Sequence, residues 1–304
     1  MSDSIDPGSA KIDNLVIEGC QEIHEIEGIE ARGGFNGLIK DAPLGVSTSI
    51  VNGLSQQLIY QINLIVPNAL VSFDDLNVEL GNAAFPFVPQ AGKEALRKAI
   101  AKRGETLVVN SAYRTLAQQV LLYNNRSNNK NPVAAPGTSN HQSGLALDIE
   151  DRDGWEPFLI PLGWEPLAGD PPHVDYQGAG ARDLRKTTIL AFQKLWNKNH
   201  PDNKLDEDGE FGPNTEAALN RSPSVGFDIA PWSDNPRVLR LSRPLLEGTD
   251  VRKLQERLKV AGLTTVVADG VFGMGTYKAV KEFQKSKGSI ANGIVDAELL
   301  KQFA

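Results

Sequence analysis

The sequence predicts an α+β domain followed by small all-α modules. Between about residues 66 and 177, patterns typical of helices alternate with short apolar segments typical of strands. Towards the C-terminus, one turn motif occurs twice, each time between two helical patterns. The chain has 304 residues, of which 40% are apolar and 23% are charged. That length and composition indicate a globular protein of two or three domains.

Changes in composition along the chain suggest where these domains begin and end. The first thirty residues are acidic, a Gly-rich stretch lies near residue 180, and prolines and serines are frequent between 222 and 244. We therefore expect an N-terminal segment of unknown role at 1–65, the α+β domain at 66–178, a first repeat at 180–226, a linker at 227–244 and a second repeat at 245–304.

Hydrophobic patterns predict the elements of the α+β domain in chain order. They predict helices over 93–101 and 116–123, and strands over 106–109, 145–149 and 173–176. Before this domain, the segment 50–65 is apolar, but its pattern does not assign it a role.

The repeated motif reads DGxFGxxT, at Asp208–Thr215 and again at Asp269–Thr276. The Asp-Gly pair is typical of a tight turn. Thr215 and Thr276 stand where helix N-caps are expected, because a threonine hydroxyl accepts a hydrogen bond from the first turn of a helix. Each copy is thus predicted to be a small helical unit. The first copy ends early, at residues 222–223.

Charge and composition argue against several classes of protein. The net charge is −7, so a nucleic-acid partner is not expected. No run approaches about 18 apolar residues, so no membrane span is predicted, and no feature indicates a protein partner. Cys20 is the single cysteine, which excludes an intramolecular disulfide. The N-terminus lacks the basic and apolar regions of a signal peptide, so the export route stays open.

Two of the four histidines, His141 and His173, lie in segments rich in glycine, proline and small polar residues. A catalytic zinc ion typically takes two histidines and a carboxylate, and keeps a fourth position for water. His141, Asp148 and His173 are candidates for such a set, with Asp148 on the strand after Gly144. The alternatives are a turn histidine, a half-buried strand histidine and an aspartate that caps a turn.

Two further residues are candidates for catalysis beside such a metal. Asp170 lies three residues before His173, and two prolines between them restrict its direction. It is the candidate general base, which would take a proton from water. Arg114 follows the strand predicted at 106–109, where a guanidinium can bind a carboxylate or stabilise an oxyanion. The alternative for Arg114 is an ordinary salt bridge.

Taken together, these motifs resemble a known family. The pattern SxHxxGxAxD at 139–148, DxxH at 170–173 and SAYRT at 111–115 resemble the zinc D-alanyl-D-alanine carboxypeptidases. This family includes VanY-like enzymes and phage L-alanyl-D-glutamate endopeptidases. The resemblance covers about residues 75–178 and implies that the zinc ligands are His141, Asp148 and His173.

The resemblance also implies roles for residues around the metal. It implies that Arg114 binds substrate or stabilises the transition state and that Ser139 supports the substrate site. Asp170 would be the general base, with Glu165, Glu150 and Asp175 as alternatives. The carboxypeptidases usually have glutamate at this place, and aspartate resembles the endopeptidases, whereas residues 135–139 resemble the carboxypeptidases. The bond that is cleaved therefore stays open.

The C-terminal repeats resemble a second family. DGxFGxxT followed by AVxxFQ, here Ala279–Gln284, is similar to the three-helix peptidoglycan-binding domain. The first copy lacks the AVxxFQ ending. The two resemblances imply a zinc-dependent peptidase that hydrolyses stem peptides in the cell wall or periplasm, with peptidoglycan or muropeptides as partners. The alternative is a non-catalytic cell-wall-binding protein with a zinc site.

Overall fold

A computed structural model describes residues 35–129 and 132–303 of the chain. The acidic N-terminal stretch, with Cys20 and His24, lies outside the described residues. These described residues belong to one compact unit. Within the described part, we find no helix that is long and apolar enough to cross a membrane.

A five-stranded mixed sheet lies at the centre of the α+β region. β2 (Val78–Leu80) runs parallel to β4 (Leu107–Ser111), and β4 pairs antiparallel with β5 (Ala146–Ile149). β5 and β6 (Trp164–Pro166) flank β7 (His173–Tyr176), again antiparallel. A separate two-stranded sheet is formed by two short strands, β1 (Val71–Ser72) and β3 (Phe87–Val88).

One face of the five-stranded sheet is covered by α2 (Gln90–Arg103) and α4 (Arg152–Leu159). Because successive side chains of a strand point to opposite faces, alternate residues of β4, β5, β6 and β7 enter this core. They are Leu107, Val109, Leu147, Ile149, Trp164, Val174 and Tyr176. The residues between them lie on the opposite face, where polar side chains collect.

A second core joins the first repeat to helices that precede it in the chain. It combines α1 (Asn52–Ile65), α3 (Leu116–Asn124), α5 (Arg185–Asn199) and α6 (Pro213–Asn220). Its buried side chains include Val51, Leu54, Leu58, Leu116, Val120, Leu121, Ile189, Phe192, Leu195, Trp196 and Leu219. The apolar segment at 50–65 is therefore mostly a helix of this core. The predicted domain boundaries themselves stay predictions.

The second repeat has a hydrophobic core of its own. It consists of α7 (Thr249–Val260), α8 (Met274–Ser286) and the short α9 (Ala297–Lys301). The buried side chains of this core all come from residues 239–299. The predicted fold class, an α+β domain followed by small helical modules, is thus confirmed.

The DGxFGxxT motif is explained by a buried glutamine in the helix before it. In the second repeat, Gln255 accepts a hydrogen bond from the Gly270 backbone N–H (2.8 Å). Its amide nitrogen donates to Asp269 Oδ1 (2.8 Å) and to Thr276 Oγ1 (2.9 Å). Each polar atom of the buried amide therefore has a partner, as burial requires. The motif positions a turn and a helix start against one side chain.

The same arrangement occurs at two other places. Gln193 accepts from the Gly209 N–H (2.9 Å) and donates to Asp208 Oδ1 (2.7 Å) in the first repeat. Gln284 accepts from the Gly293 N–H (2.8 Å) after α8. The glutamine of the FQ ending is thus a turn-binding residue like the other two, which accounts for its presence in the pattern.

The prediction that the motif threonines are N-caps was wrong. The N-caps of α6 and α8 are Gly212 and Gly273, and neither makes a side-chain cap. Thr215 and Thr276 lie inside the first turn, where each hydroxyl faces the glutamine amide. The buried glutamine amide needs a hydrogen-bond acceptor at this point, and the threonine hydroxyl supplies it. The motif therefore contains threonine because of the glutamine and not because of the free end of the helix.

The second repeat is held against α1 by hydrogen bonds. Gln56 donates to the Leu245 carbonyl (2.7 Å) and accepts from Arg237 Nη1 (2.8 Å) and the Glu247 N–H (3.0 Å). Asn52 donates to Glu247 Oε1 (3.0 Å). The glutamine and asparagine side chains are both buried. The chain between the repeats is therefore attached to the body of the protein at defined points.

Two buried phenylalanines allow the second core and the core of the second repeat to be tested separately. Phe192 and Phe272 are both 0% exposed, in the second core and in the core of the second repeat. Replacement of either by alanine should cost about 3–5 kcal/mol locally. Phe192→Ala should lower hydrogen-exchange protection in α1 and α3, whereas Phe272→Ala should lower it only in the second repeat. Unchanged protection of α3 in Phe192→Ala would mean that the first repeat folds independently.

The Glu247 carboxyl should make stability depend on pH. Burial, helped by the negative charge of Asp269, raises the pKa of Glu247 to about 7, although Asn52 and Arg237 oppose this. In the unfolded chain the pKa is near its ordinary value of 4.5. The stabilisation is therefore full below about pH 4.5 and is lost as the pH rises through 7.

Thermal unfolding at several pH values tests this expectation. The loss between pH 4.5 and 8 should be roughly 1–3 kcal/mol. Glu247→Gln should remove that part of the pH dependence, because the amide carries no charge and still accepts from Asn52. An equal pH dependence in Glu247→Gln would assign the effect to other groups.

Candidate metal centre

The register of three strands brings the candidate ligands to one row. The register of β4 shifts between Val109 and Ser111, so that Ser111 lies opposite Asp148, and Asp148 lies opposite His173. Directly opposed residues of neighbouring strands present their side chains on the same face, about 5 Å apart. This face is opposite the one covered by α2 and α4. Asp148 therefore lies in the middle of the row, with His173 beside it.

His141 reaches the row from a turn rather than a strand. It lies in a 3₁₀ helix, Asn140–Ser143, that ends at Gly144 with φ +78°. A Cβ atom at Gly144 would lie 3.1 Å from Leu70 Cδ2 and 3.2 Å from Leu184 Cδ1. Both the left-handed backbone and the close packing favour glycine. The chain turns at this point and enters β5, which carries Asp148.

The three candidate ligands converge in space. His141 Nε2 is 3.2 Å from Asp148 Oδ2, and His173 Nδ1 is 3.1 Å from Asp148 Oδ1. One ligand atom from each residue lies within 4.8 Å of the other two. Both histidines are buried and Asp148 is half-buried. Two imidazole nitrogens and a carboxylate oxygen are the donor set that zinc takes in catalytic sites, so the residues present fit this metal.

A backbone carbonyl fixes the tautomer of His141. Its Nδ1 donates to the Ala112 carbonyl at 2.9 Å. When Nδ1 carries the proton, the lone pair of neutral imidazole is on Nε2, which faces Asp148. A second hydrogen bond of this kind is typical of metal-binding histidines, because it orients the ring.

The charges of the cluster are strongly coupled. Burial opposes ionisation of Asp148, but hydrogen bonds from His141 and His173 hold its pKa below the ordinary value. Burial would also lower the pKa of His173, but hydrogen bonds to Asp148 and Asp175 raise it to about 9. The aspartate is thus a carboxylate, as a metal ligand must be.

Arg114 lies at the border of the cluster in a fixed position. Its Nη2 donates to Ser111 Oγ (3.2 Å) and its Nη1 donates to Gln119 Oε1 (3.3 Å). Its backbone N–H donates to the His141 carbonyl (3.0 Å). Burial lowers the pKa of Arg114, and the charge of Asp148 opposes this. No carboxylate forms a salt bridge with Arg114 among the described residues, so the ordinary salt bridge considered from the sequence is not found there.

Asp170 lies in the turn between β6 and β7. Its Oδ2 is 4.0 Å from His173 Nδ1, and its side chain is 51% exposed. The Asp170 carbonyl accepts from Arg152 Nη1 (3.1 Å), and the His173 N–H donates to the same carbonyl (3.1 Å). The carboxylate is therefore accessible to water and lies on the side of His173 that faces Asp148.

The other candidate residues are placed differently. Asp175 contacts Nε2 of His173, the ring nitrogen away from Asp148. Glu165 lies opposite Asp175 on β6 and is exposed. Glu150 is exposed just after β5. Ser139 is buried at the N-cap of the 3₁₀ helix, and its hydroxyl makes no capping hydrogen bond.

Sequence reasoning missed two supporting residues. Gln119 holds Arg114 and also donates to the Ala134 carbonyl (2.7 Å), which ties the arginine to the segment before His141. Asn140 donates to Asp175 Oδ2 (3.0 Å). The sequence contains no local signal for either contact, because each joins residues that only the tertiary fold brings together.

Two parts of the chain match known protein families. Residues 90–160 match the D-alanyl-D-alanine carboxypeptidase family. The recognition made from the motifs is thereby confirmed. The matched part contains Arg114, His141 and Asp148 and ends before Asp170 and His173. Residues 247–303, the second repeat, match the peptidoglycan binding domain family.

Several curated proteins are similar to parts of the chain. A probable N-acetylmuramoyl-L-alanine amidase of Bacillus licheniformis is 34% identical over 94 residues, which is 29% of this chain and 27% of the amidase. A spore cortex-lytic enzyme of Bacillus cereus is 47% identical over 51 residues, 17% of this chain and 20% of the enzyme. The N-acetylmuramoyl-L-alanine amidase CwlL of Bacillus licheniformis is 32% identical over 103 residues, 30% of this chain and 29% of the amidase. The chain thus spans less than a third of each relative.

Proposed function

We propose that the protein is a zinc-dependent peptidase that hydrolyses stem peptides of peptidoglycan. The observation that carries this proposal is the convergence of His141, Asp148 and His173 within 4.8 Å, beside an accessible carboxylate and a half-buried arginine. The match of residues 90–160 to the carboxypeptidase family supports the same chemistry. The proposed substrate sets the location at the cell wall or in the periplasm.

The ligand atoms would be His141 Nε2, a carboxylate oxygen of Asp148 and His173 Nδ1. Zinc held there would supply a water of lowered pKa and would polarise a carbonyl group. Asp170 takes a proton from the attacking water at its accessible carboxylate and returns it to the leaving amine. Its Oδ2 lies 4.0 Å from a ligand atom, but Asp170 is not one of the three residues whose ligand atoms all lie within 4.8 Å of one another.

Arg114 stabilises negative charge on the substrate. Ser111 and Gln119 take up two of its N–H donors, and a guanidinium has five, so donors remain for a carboxylate or an oxyanion. Because the side chain is half-buried, water and salt screen its interaction with such an anion less than at an open surface. Ser139 is buried beside His141, which favours support of the site over direct contact with substrate.

The second repeat binds the wall and keeps the peptidase near its substrate. Its match to the peptidoglycan binding domain family supports this part of the proposal. The first repeat shares its core with α1 and α3, which favours a structural role for it. Attachment to a polymer raises the effective concentration of stem peptides around the site.

The first test is metal dependence on a purified muropeptide with a pentapeptide stem. Chelation should abolish hydrolysis and added zinc should restore it. His141→Ala should lose stoichiometric zinc and activity, because one of three ligands is missing. His200→Ala is the control, since His200 stacks on Trp196 outside the centre. Full zinc content and full rate in His141→Ala would contradict the ligand set.

Mass spectrometry of the products identifies the bond. Loss of one alanine means a carboxypeptidase, and cleavage after the first residue of the stem means an L-alanyl-D-glutamate endopeptidase. Release of the whole stem from the glycan would mean amidase activity, as the names of two relatives describe for those proteins. Bound zinc without any product would favour the non-catalytic wall-binding protein.

The second test concerns the proton acceptor. Asp170→Asn should keep zinc, because Asp170 is not a ligand, and should lose about 100-fold or more in kcat. Glu165→Gln and Glu150→Gln should keep both zinc and rate, since neither carboxylate contacts the ligand cluster. A near-normal rate for Asp170→Asn, with a large loss in one of the other two, would transfer the role to that residue.

A further inference from the structure

We propose that Asp175, held by Asn140, is the positioning residue for the metal ligand His173. This inference rests on the proposed function, because it assumes that His173 binds the metal. It assigns a role to two side chains that belong neither to the ligand set nor to the proposed proton transfer.

The contacts form one continuous chain. Asp175 Oδ1 accepts from His173 Nε2 at 3.1 Å, and Asp175 Oδ2 accepts from Asn140 Nδ2 at 3.0 Å. Both oxygens of the carboxylate are thus engaged, and the side chain is only 20% exposed. His173 itself is 3% exposed. Neither the ring nor the carboxylate is free to rotate without loss of a hydrogen bond.

This chain determines which nitrogen of His173 faces the metal. A carboxylate at Nε2 favours the tautomer with the proton on that atom, so the lone pair is left on Nδ1. Nδ1 is the atom that lies 3.1 Å from Asp148. His141 uses the opposite arrangement, with Nδ1 on the Ala112 carbonyl and Nε2 towards Asp148. Each histidine ring is therefore oriented by a different hydrogen-bond acceptor.

Asn140 connects the two ligand motifs. It precedes His141 in the 3₁₀ helix, so one short segment supplies a ligand and also the partner of Asp175. On β5, the residue directly opposite Asp175 is Ala146, whose methyl group offers no hydrogen bond. The amide of Asn140 donates the hydrogen bond to Asp175 that Ala146 cannot donate. It thereby fixes the rotation of the carboxylate so that Oδ1 meets the ring of His173.

The same geometry removes Asp175 from the candidates for general base. Its oxygens are occupied by two donors, and it contacts the ring nitrogen on the side away from Asp148. Asp170 approaches from the Nδ1 side. The two aspartates that flank His173 in sequence thus have separate tasks, one through the ring and one at the substrate.

The test compares zinc affinity, measured by competition with a chelator, in five variants of the full chain. Asp175→Ala should weaken zinc binding about 10–100-fold, the usual effect of losing an orienting partner. Asp175→Asn should weaken it too, because an amide NH2 replaces one of the two acceptor oxygens and faces a donor. Asn140→Ala should have a smaller effect. The matched control is Glu165→Gln, which removes the same charge from the position directly opposite Asp175.

Cobalt(II) substitution provides a readout that a merely structural role would not change. The visible absorption of bound cobalt should shift in Asp175→Ala and Asp175→Asn and stay as in the wild type in Glu165→Gln. Thermal unfolding of the metal-free variants should agree within about 2 °C. Asp175→Glu should recover part of the affinity, because it restores an anionic acceptor.

The outcomes separate this inference from the function on which it rests. Wild-type affinity and an unchanged cobalt spectrum in both Asp175 variants would overturn the positioning role alone. An equal loss in Glu165→Gln would mean that only charge matters, and would also overturn it. Absence of zinc binding by the wild type would instead overturn the proposed function. If Asp175→Ala does not fold, Asp175→Asn and Asn140→Ala decide the question.

Discussion

The candidate site depends on the register of β4, β5 and β7. Ser111, Asp148 and His173 form a row only because these strands pair as they do. A slip of one residue in β7 would turn His173 into the hydrophobic core and bring Val174 to the polar face. The packing of Val174 and Tyr176 against α2 and α4 opposes such a slip. The buried face of the sheet therefore determines the geometry of the opposite, chemical face.

The turn that carries His141 is supported by the first repeat. The Leu184 N–H donates to the Ser143 carbonyl (3.0 Å) at the end of this turn. In α5, Thr188 shares a hydrogen bond with the Tyr113 hydroxyl (2.7 Å), next to Arg114 in sequence. Burial raises the pKa of the Tyr113 hydroxyl, and the hydrogen bond with Thr188 opposes this. A module that resembles a wall-binding repeat thus contributes to the frame of the candidate metal centre.

The sequence predicted the parts of the fold that local patterns encode. The strand predicted at 173–176 has the same limits in the structure. The helix predicted at 116–123 and the strand predicted at 145–149 each differ from the observed element by one residue. The three candidate ligands that the motifs pointed to lie close together in the fold. The prediction of N-caps at Thr215 and Thr276 was wrong, because each threonine hydroxyl accepts a hydrogen bond from a glutamine on another helix. The sequence also leaves Asp175 among the possible bases, because its contacts with His173 and Asn140 exist only in the folded chain.

The attachment of the second repeat limits how the protein can meet its substrate. Gln56 makes three hydrogen bonds to the chain at 237–247, and Asn52 adds a fourth through Glu247. A repeat held at several points keeps one orientation relative to α1, whereas a flexible linker would let it sample many. Effective concentration is high only for sites that the geometry allows to be reached together, and falls to zero for others. If the second repeat binds the wall as proposed, this junction selects stem peptides by their distance and direction from the bound position, so it contributes to selectivity as well as to retention.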